Sequence, residues 1–385
     1  YAGDVVGKVS EEQLRRIQIR ETILSHIERE RQLFYKGIKV LSLFFIDEVA
    51  HYKQYDDAGQ PHNGIFADMF EEEYNDIVST MQLGIGEEEY RSYLDAIKAR
   101  ADQGIFGYTW RTPKYFEAVA GWQEKRNGWR PDVEKMAFAP GVVPSMRMVL
   151  TMFTQPGDKI LIQQPVYHPF SDVVLNTGRE LVVSPLKRDD AGYYNVDFAD
   201  FEEKARGCRF FILCNPHNPV GRVWTPEELR TMGEICLRHG VEIISDEIHS
   251  DLMLDGHKHT CMASVSPEIA AITSTCIAPS KTFNLAGLIG SYHIIYNKTL
   301  RDRVAARSEK THYNEMNVLS MHALLGAYTP EGRAWVDELC AVLTENVDYA
   351  CRYIAEHFPG VRVAKPEGTY LLFLDCTDWC AAHGK

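Results

Sequence analysis

Strand-like runs of apolar residues recur through the middle of the chain, at residues 135–139, 159–163, 180–184, 209–214, 241–245, 272–276 and 291–296. Helical stretches separate them, and this alternation predicts an α/β domain with a largely parallel sheet covered by helices on both faces. Thr225-Pro226-Glu227-Glu228 reads as a helix start: Thr225 caps, Pro226 fits the first turn and Glu228 can complete a capping box. After Lys298 the strands give way to longer helical segments at about 299–311, 315–328 and 331–357. A short β pair near 361–364 and 369–375 follows, so a smaller α+β lobe is expected there.

The first eighty residues have another texture. Residues 11–36 are rich in charge and carry Leu14, Ile17, Ile23, Leu24, Ile27 and Phe34 at helical spacing, with Gly37 placed to end the helix. The continuous apolar run 38–46 predicts a strand buried on both faces, ending in Asp47-Glu48. A strand running into Asp-Glu resembles the magnesium-holding end of a nucleotide hydrolase. The chain holds no G-x-x-x-x-G-K-[ST] loop, however, so the pair is expected to be a polar strand terminus.

Composition narrows the function. With 385 residues, 45% of them hydrophobic, the chain can bury a full core in two domains, or in one large domain with a smaller lobe. A formal net charge of −13 argues against a nucleic-acid surface, which needs clustered Lys and Arg. Nine cysteines, an odd number, sit without framework spacing and point to a reduced cytoplasm. Cys376 and Cys380 form a loose pair, but no cluster completes a four-ligand site around them, so no metal is expected. No segment has the length and apolarity of a membrane span or secretory signal, so no membrane partner is expected.

Three strand ends carry candidate chemistry. Ser280-Lys281-Thr282-Phe283 follows the 272–276 run and an Ala278-Pro279 break, which puts Lys281 on a tight turn in a cleft. A lysine amine that can shed its proton there can attack a carbonyl; the plain alternative is a surface lysine. Asp246 stands at the carboxyl end of the 241–245 strand, where open α/β sheets bind ligands. A carboxylate buried there needs a cationic partner, and the protonated pyridine nitrogen of pyridoxal 5′-phosphate is one; otherwise Asp246 caps the next turn. Strand 209–214 ends in Asn215-Pro216-His217-Asn218-Pro219-Val220-Gly221, whose two Asn-Pro steps predict extended backbone presenting the Asn218 amide. The amide could donate to the 3′-oxygen of the same ring. Pro140-Gly141-Val142-Val143-Pro144-Ser145 opens an apolar helix directly after a strand, a placement that suits a phosphate. Tyr167 is positioned either to lie against the ring or to be a core tyrosine.

Taken together, Gly104-Ile105-Phe106-Gly107-Tyr108, Ala139 through Pro144, Pro165-Val166-Tyr167, Asn215 through Gly221, Ser245-Asp246-Glu247-Ile248-His249 and Ala278 through Gly287 resemble the aspartate-aminotransferase fold (pyridoxal-phosphate fold type I). Within it they are similar to the MalY/PatB group of cystathionine β-lyases. The resemblance runs from roughly residue 90 to residue 375. It implies that Lys281 forms the aldimine, Asp246 pairs with the ring nitrogen, Asn218 holds the 3′-oxygen and Tyr167 stacks. It also implies that Val142, Val143 and Ser280 bind phosphate, that His249 belongs to the cofactor site, and that Tyr108 reaches the neighbouring subunit's phosphate in a homodimer. The implied reaction is α,β-elimination from cystathionine or related cysteine S-conjugates. An aminotransferase, a regulatory binding protein and an inactive fusion are the alternatives.

Two departures stand out. The arginine that many aminotransferases place eight positions after the lysine is Ile289 here, and the serine three positions before it is Ala278. The sequence also stops at Lys385, ahead of the family's carboxylate-binding arginine, which predicts weaker turnover. Residues 10–80, through Arg20-Glu21-Thr22-Ile23, the run 37–52 and Phe70-Glu71-Glu72-Glu73-Tyr74, resemble an internal piece of the helicase-type subunit of type III restriction enzymes. That piece lacks the family's ATP site and nuclease. The expected division is therefore a foreign segment at 1–84, joined near residues 81–88, a large cofactor-binding domain at 85–298 and a small incomplete domain at 299–385.

Overall fold

The computed structural model describes residues 10–36, 51–55, 61–81, 90, 92–94, 113–315 and 317–384. The chain forms two compact units, 1–107 and 108–385. The predicted strand 38–46, Asp47-Glu48, Gly37 and the 104–108 motif with Tyr108 lie outside the described residues.

In the first unit, helix α1 (Glu11–Phe34) starts at a capping box in which the Gln13 N–H donates to Ser10 Oγ at 3.2 Å and the Ser10 N–H to Gln13 Oε1 at 3.1 Å. A short antiparallel pair, β1 (Lys53–Tyr55) and β2 (Pro61–Asn63), leads into α2 (Ile65–Thr80), a helix the apolar pattern did not reveal. The two helices share a small core of Ile23, Ile27, Ile77 and Val78. Of the six residues predicted for the apolar stripe, Ile17 and Leu24 are exposed at 53% and 39%, because Ile23 and Ile27, one turn apart, take the contact with α2. Beside that core, Arg16 and Arg20 reach Glu73 at 3.0 and 2.5 Å. The Arg20 guanidinium, opposed by burial and joined by Arg16, holds that carboxyl below its ordinary range.

The second unit opens with α3 (Pro113–Asn127), β3 (Met136–Ala139), α4 (Val142–Phe153), β4 (Lys159–Gln164), α5 (Pro169–Leu175) and β5 (Glu180–Pro185). A small pair, β6 (Lys187–Arg188) and β7 (Tyr194–Asn195), precedes α6 (Phe198–Ala205), β8 (Cys208–Cys214), α7 (Pro226–His239), β9 (Glu242–Asp246), α8 (Pro267–Ala271), β10 (Thr273–Ile277) and β11 (Ser291–Ile295). The seven predicted strands form one sheet in the order β3-β11-β10-β9-β8-β4-β5. It is parallel except for β11, which runs antiparallel to β10 and β3. Alternation along β8 shows why the runs are continuously apolar: Phe210, Ile212 and Cys214 pack with α4 and α5, while Phe211 and Leu213 pack with α6 and α7. The capping box at Thr225 forms as predicted.

Beyond the sheet come α9 (Lys298–Thr311), α10 (Val318–Ala327) and α11 (Pro330–His357), a two-residue antiparallel pair, β12 (Arg362–Val363) with β13 (Leu374–Asp375), and α12 (Thr377–Ala382). The β pair is shorter than its predicted runs, and residues 367–369 pair with loops of the large sheet instead. No described helix is long and apolar enough to cross a membrane.

Candidate active site

Five strand ends meet at one edge of the sheet. β3, β8, β9 and β10 finish there at Ala139, Cys214, Asp246 and Ile277, and β11, running the other way, begins there at Ser291. A cavity of about 240 Å³ opens at this edge, lined by Val142, Val143, Tyr167, Asn218, Asp246, His249, Ser280 and Lys281. The sequence had singled out all eight from five separate segments. The crevice outside the carboxyl ends of the strands is where this architecture binds ligands.

Asp246 is buried and accepts a hydrogen bond from the Ile248 N–H at 3.1 Å. Burial pushes its carboxyl up to about 7; the Ile248 N–H pulls it back, the Glu247 charge pushes it further up, and Lys281 draws it down. His249 is the converse: burial, aided by the Lys281 charge, lowers its imidazole to about 4. Its Nδ1 is buried without a hydrogen-bond partner. A carboxylate raised by desolvation and an orphaned ring nitrogen, on two residues lining the same cavity, are groups that a cationic, hydrogen-bonding heterocycle can complete. The residues present therefore fit a pyridinium cofactor.

The Lys281 turn is braced from below. The Phe283 N–H donates to Pro279 O at 2.9 Å and the Leu285 N–H to Ser280 O at 3.0 Å. Thr282 Oγ1 donates to Asp251 Oδ2 and Trp122 Nε1 to Asp251 Oδ1, each at 2.9 Å. Asp251 thus fixes the residue next to Lys281 without touching the amine.

The Asn218 loop doubles back instead of extending. The His217 N–H donates to Arg222 O and the Gly221 N–H to His217 O, each at 2.8 Å, closing a tight loop that includes the cis Asn218–Pro219 bond, with a second cis bond, Asn215–Pro216, just before it. His217 Nε2 donates to Pro165 O at 2.8 Å, which joins this loop to the one bearing Tyr167. Tyr167 is 38% exposed with Phe170 edge-on at 6.1 Å, so it is a cavity residue rather than a core tyrosine.

At the opposite wall Gly141 has φ +139°, a conformation an L side chain rarely adopts, and a Cβ there would sit 3.3 Å from Pro144 Cδ. Its N–H donates to Ser291 Oγ at 2.9 Å, and that hydroxyl donates to Ala139 O at 2.8 Å. The first turn of α4 then presents N–H groups that have no acceptor within the helix, an arrangement that suits an anion, and Ser280 lines the same cavity. Ile289 and Ala278 line the same cavity, so no cationic side chain stands where many aminotransferases carry arginine.

Sequence reading missed the support layer. Glu247, fully buried, accepts from Ser245 Oγ at 2.8 Å, His259 Nε2 at 2.9 Å and the Met262 N–H at 3.0 Å, pinning the turn that carries Asp246 and His249. Glu247, His259 and Cys261 place potential metal-ligand atoms within 4.8 Å of one another, but both carboxylate oxygens are already engaged. His259 has no periodicity or motif that could have linked it to Glu247 in advance.

In the cofactor-free protein, the raised Asp246 pKa adds stability that is complete below the ordinary carboxylate value and is lost as pH rises through about 7. His249, with a lowered pKa, contributes above the ordinary imidazole value and loses that contribution as pH falls through about 4. Comparing Asp246→Asn with the wild type isolates the first effect. The variant's stability advantage in urea is expected to grow between roughly pH 4 and pH 7 and to level off above that; a constant difference would contradict an uncompensated buried carboxyl.

Residues 78–381 match the family described as aminotransferase class I and II. The chain is 44% identical over 283 residues to cystathionine β-lyase PatB of Bacillus subtilis (strain 168), covering 73% of each. It is 30% identical over 287 residues to protein MalY of Escherichia coli (strain K12), covering 73% of this chain and 72% of that protein. Among solved structures, the PLP-bound C-S lyase from Staphylococcus hominis superposes with a TM-score of 0.69 at 33% identity, covering 76% of this chain and 74% of that one.

Proposed function

The chain belongs to the aminotransferase class I and II family, and from that premise we propose that it is a pyridoxal-5′-phosphate-dependent carbon–sulfur β-lyase. Its substrates are cystathionine or related cysteine S-conjugates, cleaved to a thiol, pyruvate and ammonia. The observation that carries the reading is the convergence of Lys281, Asp246 and Asn218 on one cavity at the strand ends. Similarity to PatB and to the Staphylococcus hominis lyase favours elimination over transamination.

Lys281 would hold the cofactor's aldehyde carbon, Asp246 its ring nitrogen and Asn218 its 3′-oxygen. Tyr167 would cover the ring, His249 would complete the polar wall, and Val142, Val143 and Ser280 would hold the phosphate. When bound, the pyridinium ring supplies an electron sink for the pair left as the substrate Cα–H bond breaks. Asp246, ionised beside that cation, keeps the ring nitrogen protonated. Lys281 Nζ would receive the proton leaving the substrate Cα and could pass it to the departing sulfur. Departure of the thiolate from Cβ and addition of water then yield pyruvate and ammonia. The reading includes a homodimer in which Tyr108 reaches the neighbouring subunit's phosphate site.

The test is incubation of the purified protein with cystathionine and no keto acid. Equal release of pyruvate, ammonia and thiol is expected. No release, with amino-group transfer once a keto acid is added, would overturn the lyase reading in favour of an aminotransferase.

A further inference from the structure

Residues 366–370, which follow helix α11, reach back to the two loops that carry Asn218 and His249. On one side the Glu367 and Gly368 N–H groups donate to Gly221 O at 2.8 and 3.1 Å. Glu367 Oε2 accepts from the Val223 N–H at 2.8 Å and from Arg222 Nε at 3.0 Å. On the other side the Leu254 N–H donates to Glu367 O and the Thr369 N–H to Leu252 O, each at 2.9 Å. Tyr370 then meets His249 edge-on, with ring centroids 5.4 Å apart.

Two glycines record how tight this junction is. A Cβ on Gly221, whose φ is +77°, would lie 2.4 Å from Pro366 Cβ, and one on Gly368 would lie 2.9 Å from Val223 Cγ2. Side chains at either position would push the segments apart.

We propose that Glu367 is a positioning residue for the cofactor site: its carboxylate fixes the base of the loop that presents Asn218, while its backbone fixes the loop that presents His249. This rests on the pyridoxal-phosphate reading above. The reason is mechanical. Asn218 and Gly221 belong to the same closed loop, so a grip on Gly221, Arg222 and Val223 sets where the Asn218 amide points. The interaction is charge-assisted and largely shielded, with Arg222 7% exposed. Arg222 does not depend on Glu367 alone, because it also donates to Glu228 at 3.0 and 3.1 Å, to Tyr194 O at 2.6 Å and to Asn195 Oδ1 at 2.9 Å. Removing the Glu367 carboxylate therefore leaves Arg222 compensated, and the fold should survive.

The experiment compares wild type, Glu367→Ala and Glu367→Gln. It measures pyridoxal-phosphate affinity, the pH midpoint of the bound cofactor's absorbance, and hydrogen exchange of the cofactor-free proteins. Glu367→Ala is expected to bind the cofactor roughly tenfold more weakly, the effect of losing a charge-assisted hydrogen bond. Its absorbance midpoint should shift and residues 215–223 should exchange faster. Glu367→Gln, which can still accept from the Val223 N–H, should recover most of the affinity. If the alanine variant does not fold, Glu367→Asp, with its carboxylate drawn back, carries the same comparison. Wild-type affinity, midpoint and exchange in the variant, even with lower thermal stability, would overturn the proposal and leave Glu367 a purely structural residue. Failure of the wild type to bind pyridoxal phosphate would instead sink the functional reading, while the exchange measurement would still test the grip on the loop.

Discussion

Lys281→Ala is expected to lower cystathionine cleavage by roughly 10³-fold or more while the fold persists, because one side chain both holds the cofactor and accepts the Cα proton. Among the described residues lining the cavity, Lys281 is the only Lys or Arg. No other amine among the described lining residues is there to take over. The turn around it is held by Thr282, Asp251 and backbone hydrogen bonds, none of which uses the lysine amine, so thermal unfolding should change little. A variant retaining a tenth or more of wild-type turnover would show that another group is the base.

Asp246→Asn should have the second largest effect, a loss of roughly 10²-fold or more in kcat. Asparagine fits the space and can still accept from the Ile248 N–H, but it carries no charge to keep the ring nitrogen protonated. The same substitution is expected to stabilise the cofactor-free protein at neutral pH, since burial makes the carboxylate costly there. Higher stability together with lower activity in one variant would mark a residue retained for chemistry. Unchanged kcat in the variant would separate Asp246 from the reaction.

How far the sequence carried this picture depends on the kind of signal. Strands buried on both faces announce themselves as short apolar runs, so all seven strands of the large sheet were legible to within a residue or two. The cofactor wall was legible because its residues stand at or just past strand ends, where a polar residue after an apolar run, as at Asp246, or an Asn-Pro turn, as at Asn218, is conspicuous. The direction of β11 was not, since an apolar run looks the same read parallel or antiparallel. Neither was α2, whose acidic Glu71-Glu72-Glu73 stretch hides a stripe buried through Ala67, Met69, Ile77 and Val78. The bracing pairs Glu247–His259 and Glu367–Arg222 join residues 12 and 145 positions apart through side chains that follow no period. Only the folded chain brings them together.

A lyase of the proposed kind carries a covalent bond between pyridoxal phosphate and one lysine. Borohydride reduction of the yellow protein, followed by peptide mass mapping, measures it directly. The account predicts that the colour is bleached and the reduced pyridoxyl group is found on the peptide containing Lys281. An unmodified Lys281 peptide, or the label on another lysine, would contradict it.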